Sequence, residues 1–315
     1  MKLSLVVPCY NEEGNVERFL EETKKAFKED IDYEVVFVND GSRDNTGSVL
    51  KKIYEENKAL VQVISFSRNF GKDAAMYAGM KVSRGDTVCI IDADLQQKPE
   101  VVIEMISVLN ENEDIDCVTA FQKKRREGKF ISWIKSCFYK VINKISEVDF
   151  VNGASDFRLM RRTMVDAILS MTEYHRFSKG IFSWIGFNTH YIPYEAAKRQ
   201  SGETKWNTKK LFKYAVEGIV AFSTAPLRLS TYIGFGSSVM SVLYLIFVVL
   251  QKLFFGIDVP GYATIVVLVL FLGGLQLFCL GVLGEYMAKM YIQVKNRPIY
   301  IVKEHLKGDD YDTEA

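Results

Sequence analysis

Two stretches without a charged side chain constrain this chain more than any other feature. Leu229 to Gln251 and Val259 to Gly284 run for 23 and 26 residues with no Asp, Glu, Lys or Arg. As helices rising about 1.5 Å per residue, both exceed the roughly 30 Å hydrocarbon core of a bilayer. The first holds twelve Leu, Ile, Val and Phe residues, which favour insertion by about 4 to 7 kcal/mol before its Ser and Thr are set against them. Helices of a globular core are shorter and keep a polar face, which these lack. The connector Lys252 to Asp258 is too short for a domain, so the two spans form a hairpin with both outer ends on one side. Lys209, Lys210, Lys213 and Arg228 precede it and Lys289, Lys295, Arg297, Lys303 and Lys307 follow it, whereas the connector sets Lys252 against Asp258. By the positive-inside rule, the N-terminal domain and both termini are cytoplasmic, in a two-span protein of the cell (inner or plasma) membrane.

A mean hydropathy of +0.01 and a net charge of +1 over 315 residues therefore average two solvents. Near-neutral balance argues against a nucleic-acid binder, and 25% charged with 13% aromatic residues excludes a disordered chain. The five cysteines are odd in number and form no C-x-x-C pair, which fits neither a disulfide framework nor a zinc site. They read as small apolar residues in a reducing compartment. The opening Met1-Lys2-Leu3 enters a strand-like run ending at Pro8, too short for a signal peptide.

Ahead of the hairpin, short β-branched runs at Leu3–Pro8, Tyr33–Asn39, Val61–Ser65, Thr87–Ile91 and Ile115–Ala120 alternate with helical patterns at Asn15–Lys28, Asn45–Glu56, Lys72–Val82 and Glu100–Asn110. That alternation predicts an α/β domain with a mostly parallel sheet and helices on both faces. Ligands of such sheets bind beyond the carboxyl ends of the strands. Polar residues gather there: Asn11 and Glu12, Asp40-Gly41-Ser42, Arg68 and Asn69, and Asp92-Ala93-Asp94. No G-x-G-x-x-G follows the first strand and no G-x-x-x-x-G-K-[ST] is present, which disfavours a dinucleotide-binding fold of the usual kind and a P-loop nucleotidase. In an extended turn, Asp92 and Asp94 can converge on one hard divalent cation that keeps positions for phosphate oxygens. Lys129 to Ser146 places Phe130, Ile131, Ile134, Phe138, Val141, Ile142 and Ile145 at helical spacing with Lys135, Lys140 and Lys144 mostly off that stripe. The pattern suits a bilayer-surface helix or, equally, one packing its stripe inward.

Four segments in order, Val6-Val7-Pro8-Cys9-Tyr10-Asn11-Glu12-Glu13, Val38 to Asp44, Ser67 to Lys72 and Asp92 to Gln96, resemble a family 2 glycosyltransferase with the GT-A fold, a Rossmann-like nucleotide-sugar-binding domain. Asp156 to Met160, Arg199 to Lys205, Ser223 to Arg228 and Gly281 to Tyr286, with the two-span end, resemble its polyprenyl-phosphate branch. The resemblance implies a GT-A catalytic domain over residues 1–206 (129–146 an interfacial helix), a linker or interfacial helix over 207–228, a hairpin over 229–288 and a cytoplasmic tail over 289–315. It implies inverting transfer of a sugar, glucose first, from a UDP-sugar to undecaprenyl or another polyprenyl phosphate, making a lipid-linked donor for cell-envelope glycans. UDP-N-acetylglucosamine as donor, or an inert membrane-tethered nucleotide-sugar sensor, are the alternatives.

Residue roles follow. A divalent cation, Mg²⁺ or Mn²⁺, stabilises the leaving diphosphate as a Lewis acid; Asp94 is the expected direct ligand, with Asp92 on the ribose or on the ion's waters and Gln96 completing the shell. Asp40 is expected to accept from uracil or ribose, with Pro8, Tyr10 and Glu12 lining the base pocket and Lys72 among the donor contacts. The acceptor phosphate, ionised near neutral pH, needs cations: Arg199 and Lys205 around Ser201, and a second cluster, Lys123 to Arg126, that includes Arg125 and Arg126. Lys205 is also counted with Asp94 and Asp156 in the catalytic set. Asp156 is expected to act as base or orienting carboxylate near the acceptor, the structural alternative being an ion pair with Arg158. Gln122 stands where related enzymes often carry Arg. Gly273 and Gly274 in the second span leave room for close helix contact, so a homo-oligomer stays open.

Overall fold

Period-two burial organises the sheet. Along β1 (Leu3–Cys9), Leu3, Leu5, Val7 and Cys9 join the apolar cluster on one face, and Val6 joins the cluster on the other. The computed structural model describes residues 2–28, 31–122, 143, 154–195, 218, 220–255 and 261–307.

The elements that follow are α1 (Val16–Phe27), β2 (Tyr33–Asn39), α2 (Thr46–Glu56), β3 (Val61–Phe66), α3 (Lys72–Val82), β4 (Thr87–Ile90), α4 (Pro99–Glu111) and β5 (Cys117–Gln122). Next come β6 (Ala154–Arg161), α5 (Arg162–Ser170), α6 (Ser178–Trp184), β7 (Thr189–Tyr194), α7 (Ala225–Phe255), α8 (Tyr262–Val294) and β8 (Val302–Leu306). Eight strands form one sheet in the order β7-β5-β6-β4-β1-β2-β3-β8. β4, β1, β2 and β3 run parallel, β5 and β7 pair parallel, and β6 is antiparallel to both β4 and β5. Phe19, Leu20, Leu50, Ile53, Val102, Met105 and Leu109 from α1, α2 and α4 cover one face. Ala74, Ala75, Met76, Met164, Val165, Ile168, Ile181 and Phe182 from α3, α5 and α6 cover the other. The predicted α/β sheet with helices on both faces is what forms.

The order of strands reverses at β1: the chain steps outward from β1 to β2 and β3, then crosses back to place β4 on the other side of β1, and the crevice at the carboxyl ends of β1 and β4 is where such a sheet takes its ligand. Asn11 and Leu95 flank that crevice with φ of 57° each. For Leu95, between Asp94 and Gln96, left-handed backbone is an outlier of the kind that concentrates at functional sites.

α7 and α8 are long and apolar enough to cross a membrane, and none of the most apolar stretch of either is buried inside the protein. That separates them from core helices. Tyr286 Oη donates to the Ser223 carbonyl at 2.6 Å across the hairpin. Both outer ends of the hairpin meet the α/β domain. At the α7 end, Phe222 packs on Phe177 with ring centroids 6.0 Å apart. At the α8 end, the Tyr174 N–H donates to Gln293 Oε1 at 2.9 Å. Beyond α8 the chain returns to the sheet, where β8 pairs antiparallel with β3. The segment read from sequence as a cytoplasmic tail thus supplies an edge strand.

Candidate active site

Register explains how residues far apart in sequence meet. In the β4–β6 ladder Ile90 opposes Arg158. Two residues along the ladder from that pair, Asp92 follows Ile90 and Asp156 precedes Arg158, so both lie at the carboxyl edge of β4. Lys72, first residue of α3, reaches over that edge. Its Nζ lies 2.6 Å from Asp92 Oδ1 and 3.0 Å from Asp156 Oδ2. The three side chains keep 40%, 31% and 21% of their surface exposed, so the cluster opens to solvent. Burial alone would raise the Asp156 carboxyl, but Lys72, then Lys179, the Lys72 hydrogen bond and Arg158 outweigh it and hold Asp156 well below the usual carboxylate range. Burial opposes the Lys72 charge as well; Asp92 and Asp156 overcome it and push the ammonium well above the usual lysine range.

The Asp92–Asp94 turn is braced from its own chain. The Asp92 N–H donates to Gln97 Oε1 at 2.9 Å, and Gln97 Nε2 returns a bond to Asp92 Oδ2 at 3.1 Å. Asp94 Oδ1 accepts from the Gln96 backbone N–H at 3.1 Å. Gln97, buried, thus holds the Asp92 carboxylate, and Gln96, the residue expected on an ion's shell, contacts Asp94 through its main chain. Two adjacent glutamines look alike in sequence, and only the direction of the turn separates them.

Asp40, expected to face uracil or ribose, is engaged within the protein itself. It is 3% exposed and both its oxygens serve the loop after β3. Oδ1 accepts from the Phe70 N–H at 2.6 Å, and Oδ2 accepts from Asn69 Nδ2 at 2.8 Å and the Gly71 N–H at 3.0 Å. In this geometry Asp40 shapes the pocket wall by clamping residues 69–71. Burial nevertheless raises its carboxyl above the ordinary range, against those N–H donors and Arg68. Pro8 and Tyr10 lie half-buried at the end of β1. Glu12 Oε2 accepts from Asn15 Nδ2 at 2.6 Å at the start of α1.

Asp156 takes Lys72 as its ion-pair partner; Arg158 Nη2 instead donates to the Ser155 carbonyl at 3.0 Å, and its guanidinium stacks 3.6 Å from the Phe182 ring centroid. Arg125, Arg126, Arg199, Ser201 and Lys205, the basic cluster from Lys123 and the segment 129–146 lie outside the described residues, apart from Asn143.

The cluster also abuts the root of the hairpin. Asp73, next to Lys72, accepts through Oδ1 from the Ser178 N–H at 3.2 Å and from the Ser178 hydroxyl. Ser178 opens α6, whose Gly180 lies directly under the Phe222 ring, three residues before α7.

The Rossmann-like α/β domain with its carboxylate-lined crevice has the GT-A fold of glycosyltransferases, and it is followed by two apolar helices long enough to cross a membrane. The chain belongs to glycosyl transferase family 2: residues 4–169 match that family, and residues 225–290 match the GtrB C-terminal hairpin. It is 43% identical to the SfII prophage-derived bactoprenol glucosyl transferase of Shigella flexneri, over 98% of this chain and 100% of that protein. It is 44% identical to the putative glycosyltransferase CsbB of Bacillus subtilis, over 96% and 91%, and 41% identical to an uncharacterized Synechocystis glycosyltransferase, sll0501, over 99% and 97%.

Proposed function

We propose that the enzyme transfers glucose from UDP-glucose to the phosphate of a polyprenyl phosphate, with inversion, at the cytoplasmic face of a cell membrane. The observation that carries this is the short path from Lys72 through Asp73 and Ser178 to Phe222, which sets the carboxylate crevice beside the root of the hairpin. A soluble donor and a lipid acceptor need such a junction. The sugar and the lipid are carried over from relatives named bactoprenol glucosyl transferase. The cationic ends of the hairpin support the cytoplasmic side.

A divalent cation fits Asp94 and Asp92, hard oxygen donors on a strained turn at the crevice. Among the described residues no three His, Cys, Asp or Glu side chains gather as a closed metal site. An ion here would draw further ligands from the donor diphosphate and water, and when bound it supplies Lewis-acid neutralisation of the leaving group. The chain's own residues do the rest. Asp156, kept ionised by Lys72, Lys179 and Arg158, orients the acceptor rather than removing a proton. The acceptor phosphate has its second pKa near ~6 and attacks already ionised. Arg199, Lys205 and Ser201, with Arg125 and Arg126, are the proposed phosphate contacts.

A donor panel tests the proposal. The purified chain is supplied with Mn²⁺ or Mg²⁺, undecaprenyl phosphate and labelled UDP-glucose or UDP-N-acetylglucosamine. Lipid-extractable label from UDP-glucose is expected. Label from UDP-N-acetylglucosamine alone reassigns the sugar, and tight UDP binding with no lipid label from any donor replaces the enzyme with a sensor.

A further inference from the structure

Lys72 holds a place that a metal ion would want. Its ammonium bridges carboxylate oxygens from two different strands, at 2.6 Å from Asp92 and 3.0 Å from Asp156. The other Asp92 oxygen is tied to Gln97, so the oxygen facing the crevice is the one the ammonium occupies. Lys179 and Arg158 add positive potential at Asp156 from α6 and β6. A divalent ion entering alone would compete with a charge already seated on its carboxylate and would be repelled by it. A nucleoside diphosphate changes this balance because its negative charge offers the ammonium another partner. Lys72 stands on a flexible four-carbon stem at the first turn of α3, able to shift toward that charge.

We propose that Lys72 is an internal counter-cation that keeps the divalent ion out of the empty crevice, so that ion and nucleotide diphosphate bind together. The proposal rests on the donor-site reading above. It makes Lys72 a positioning residue whose removal should strengthen binding of the ion alone, which loss of a diphosphate contact by itself would leave unchanged. It also makes ion and nucleotide reciprocally coupled.

The test is Mn²⁺ binding to the full chain in detergent, followed by electron paramagnetic resonance with and without UDP. In the wild type, UDP should tighten Mn²⁺ binding by about tenfold or more, within the usual range of coupling between sites. In Lys72→Met, Mn²⁺ alone should bind several-fold more tightly than to the wild type, and the enhancement by UDP should shrink toward one. Lys72→Arg, which keeps the charge, should restore the wild-type coupling. Lys72→Gln serves as the second uncharged variant should Lys72→Met not fold. If the uncharged variant binds Mn²⁺ no more tightly than the wild type while the wild type shows the UDP enhancement, the role of Lys72 is overturned and the donor site stands. If the wild type binds no Mn²⁺ even with UDP, the donor-site reading falls, and this proposal with it.

Discussion

Gly41 shows how little freedom the donor-side loops have. Its φ is +59°, and a Cβ there would come within 2.2 Å of the Arg68 carbonyl carbon and 2.5 Å of the Asn69 nitrogen. The neighbouring backbone is the one Asp40 clamps, so Gly41→Ala should destabilise the fold by more than about 1 kcal/mol. It should also weaken UDP binding, readable by thermal unfolding and calorimetry. If Asp156 orients the acceptor, as proposed, Asp156→Asn should lower turnover by more than about tenfold with UDP affinity nearly intact. Because its carboxyl lies well below the usual range, Asp156 stays charged as the acceptor monoester gains a proton. Activity should therefore fall as pH drops through about 6, the second phosphate pKa, and Asp156→Asn should keep that limb. Loss of the limb in the variant would make Asp156 the titrating base instead. At this scale Asp92, Asp94 and Asp156 were legible as chemistry. Their partners were not: Lys72 meets Asp156 only through the β4–β6 register, which no local pattern encodes.

Elements tell a similar story. β1 to β5 and α1 to α4 form within a residue or two of where apolar periodicity predicts, because each buries a face against the same sheet. β8 was not legible. Its sequence, Val-Lys-Glu-His-Leu, reads as a charged tail, yet charge is what a sheet edge tolerates. Pairing with β3 decides its state. The Ser67 N–H donates to the Ile301 carbonyl at 3.0 Å, and the Tyr300 ring stacks on Phe66 at 4.9 Å. Phe66 in turn meets Phe70, whose N–H binds Asp40. The tail thus braces the donor loop, and Tyr300→Ala should weaken UDP binding by roughly the few-fold expected from losing an aromatic pair worth ~0.5–1.5 kcal/mol. Unchanged UDP affinity in that variant would confine β8 to covering the sheet edge.

For the whole molecule, what matters is how the hairpin and catalytic domain are joined. The uncharged runs announced two long apolar helices. The structure extends them into helices of 31 and 33 residues whose outer ends are tied to the domain by Phe222, Gln293 and β8. A Cβ on Gly180 would fall 2.2 Å from the Phe222 ring. Gly180→Val should therefore loosen the junction, lowering turnover with lipid acceptor while sparing UDP binding; equal loss of both would mean that the whole domain had been disturbed. The near-zero hydropathy and charge of the sequence hid this division between a polar α/β domain and an apolar hairpin.

One crevice is proposed to serve both a soluble donor and a membrane acceptor. The most direct test of this is transfer of radiolabel from UDP-glucose by the full chain in vesicles containing undecaprenyl phosphate. Label should enter the organic phase in proportion to the UDP released, and Asp94→Asn should abolish it. Release of UDP with the label left as free sugar in water would contradict the account.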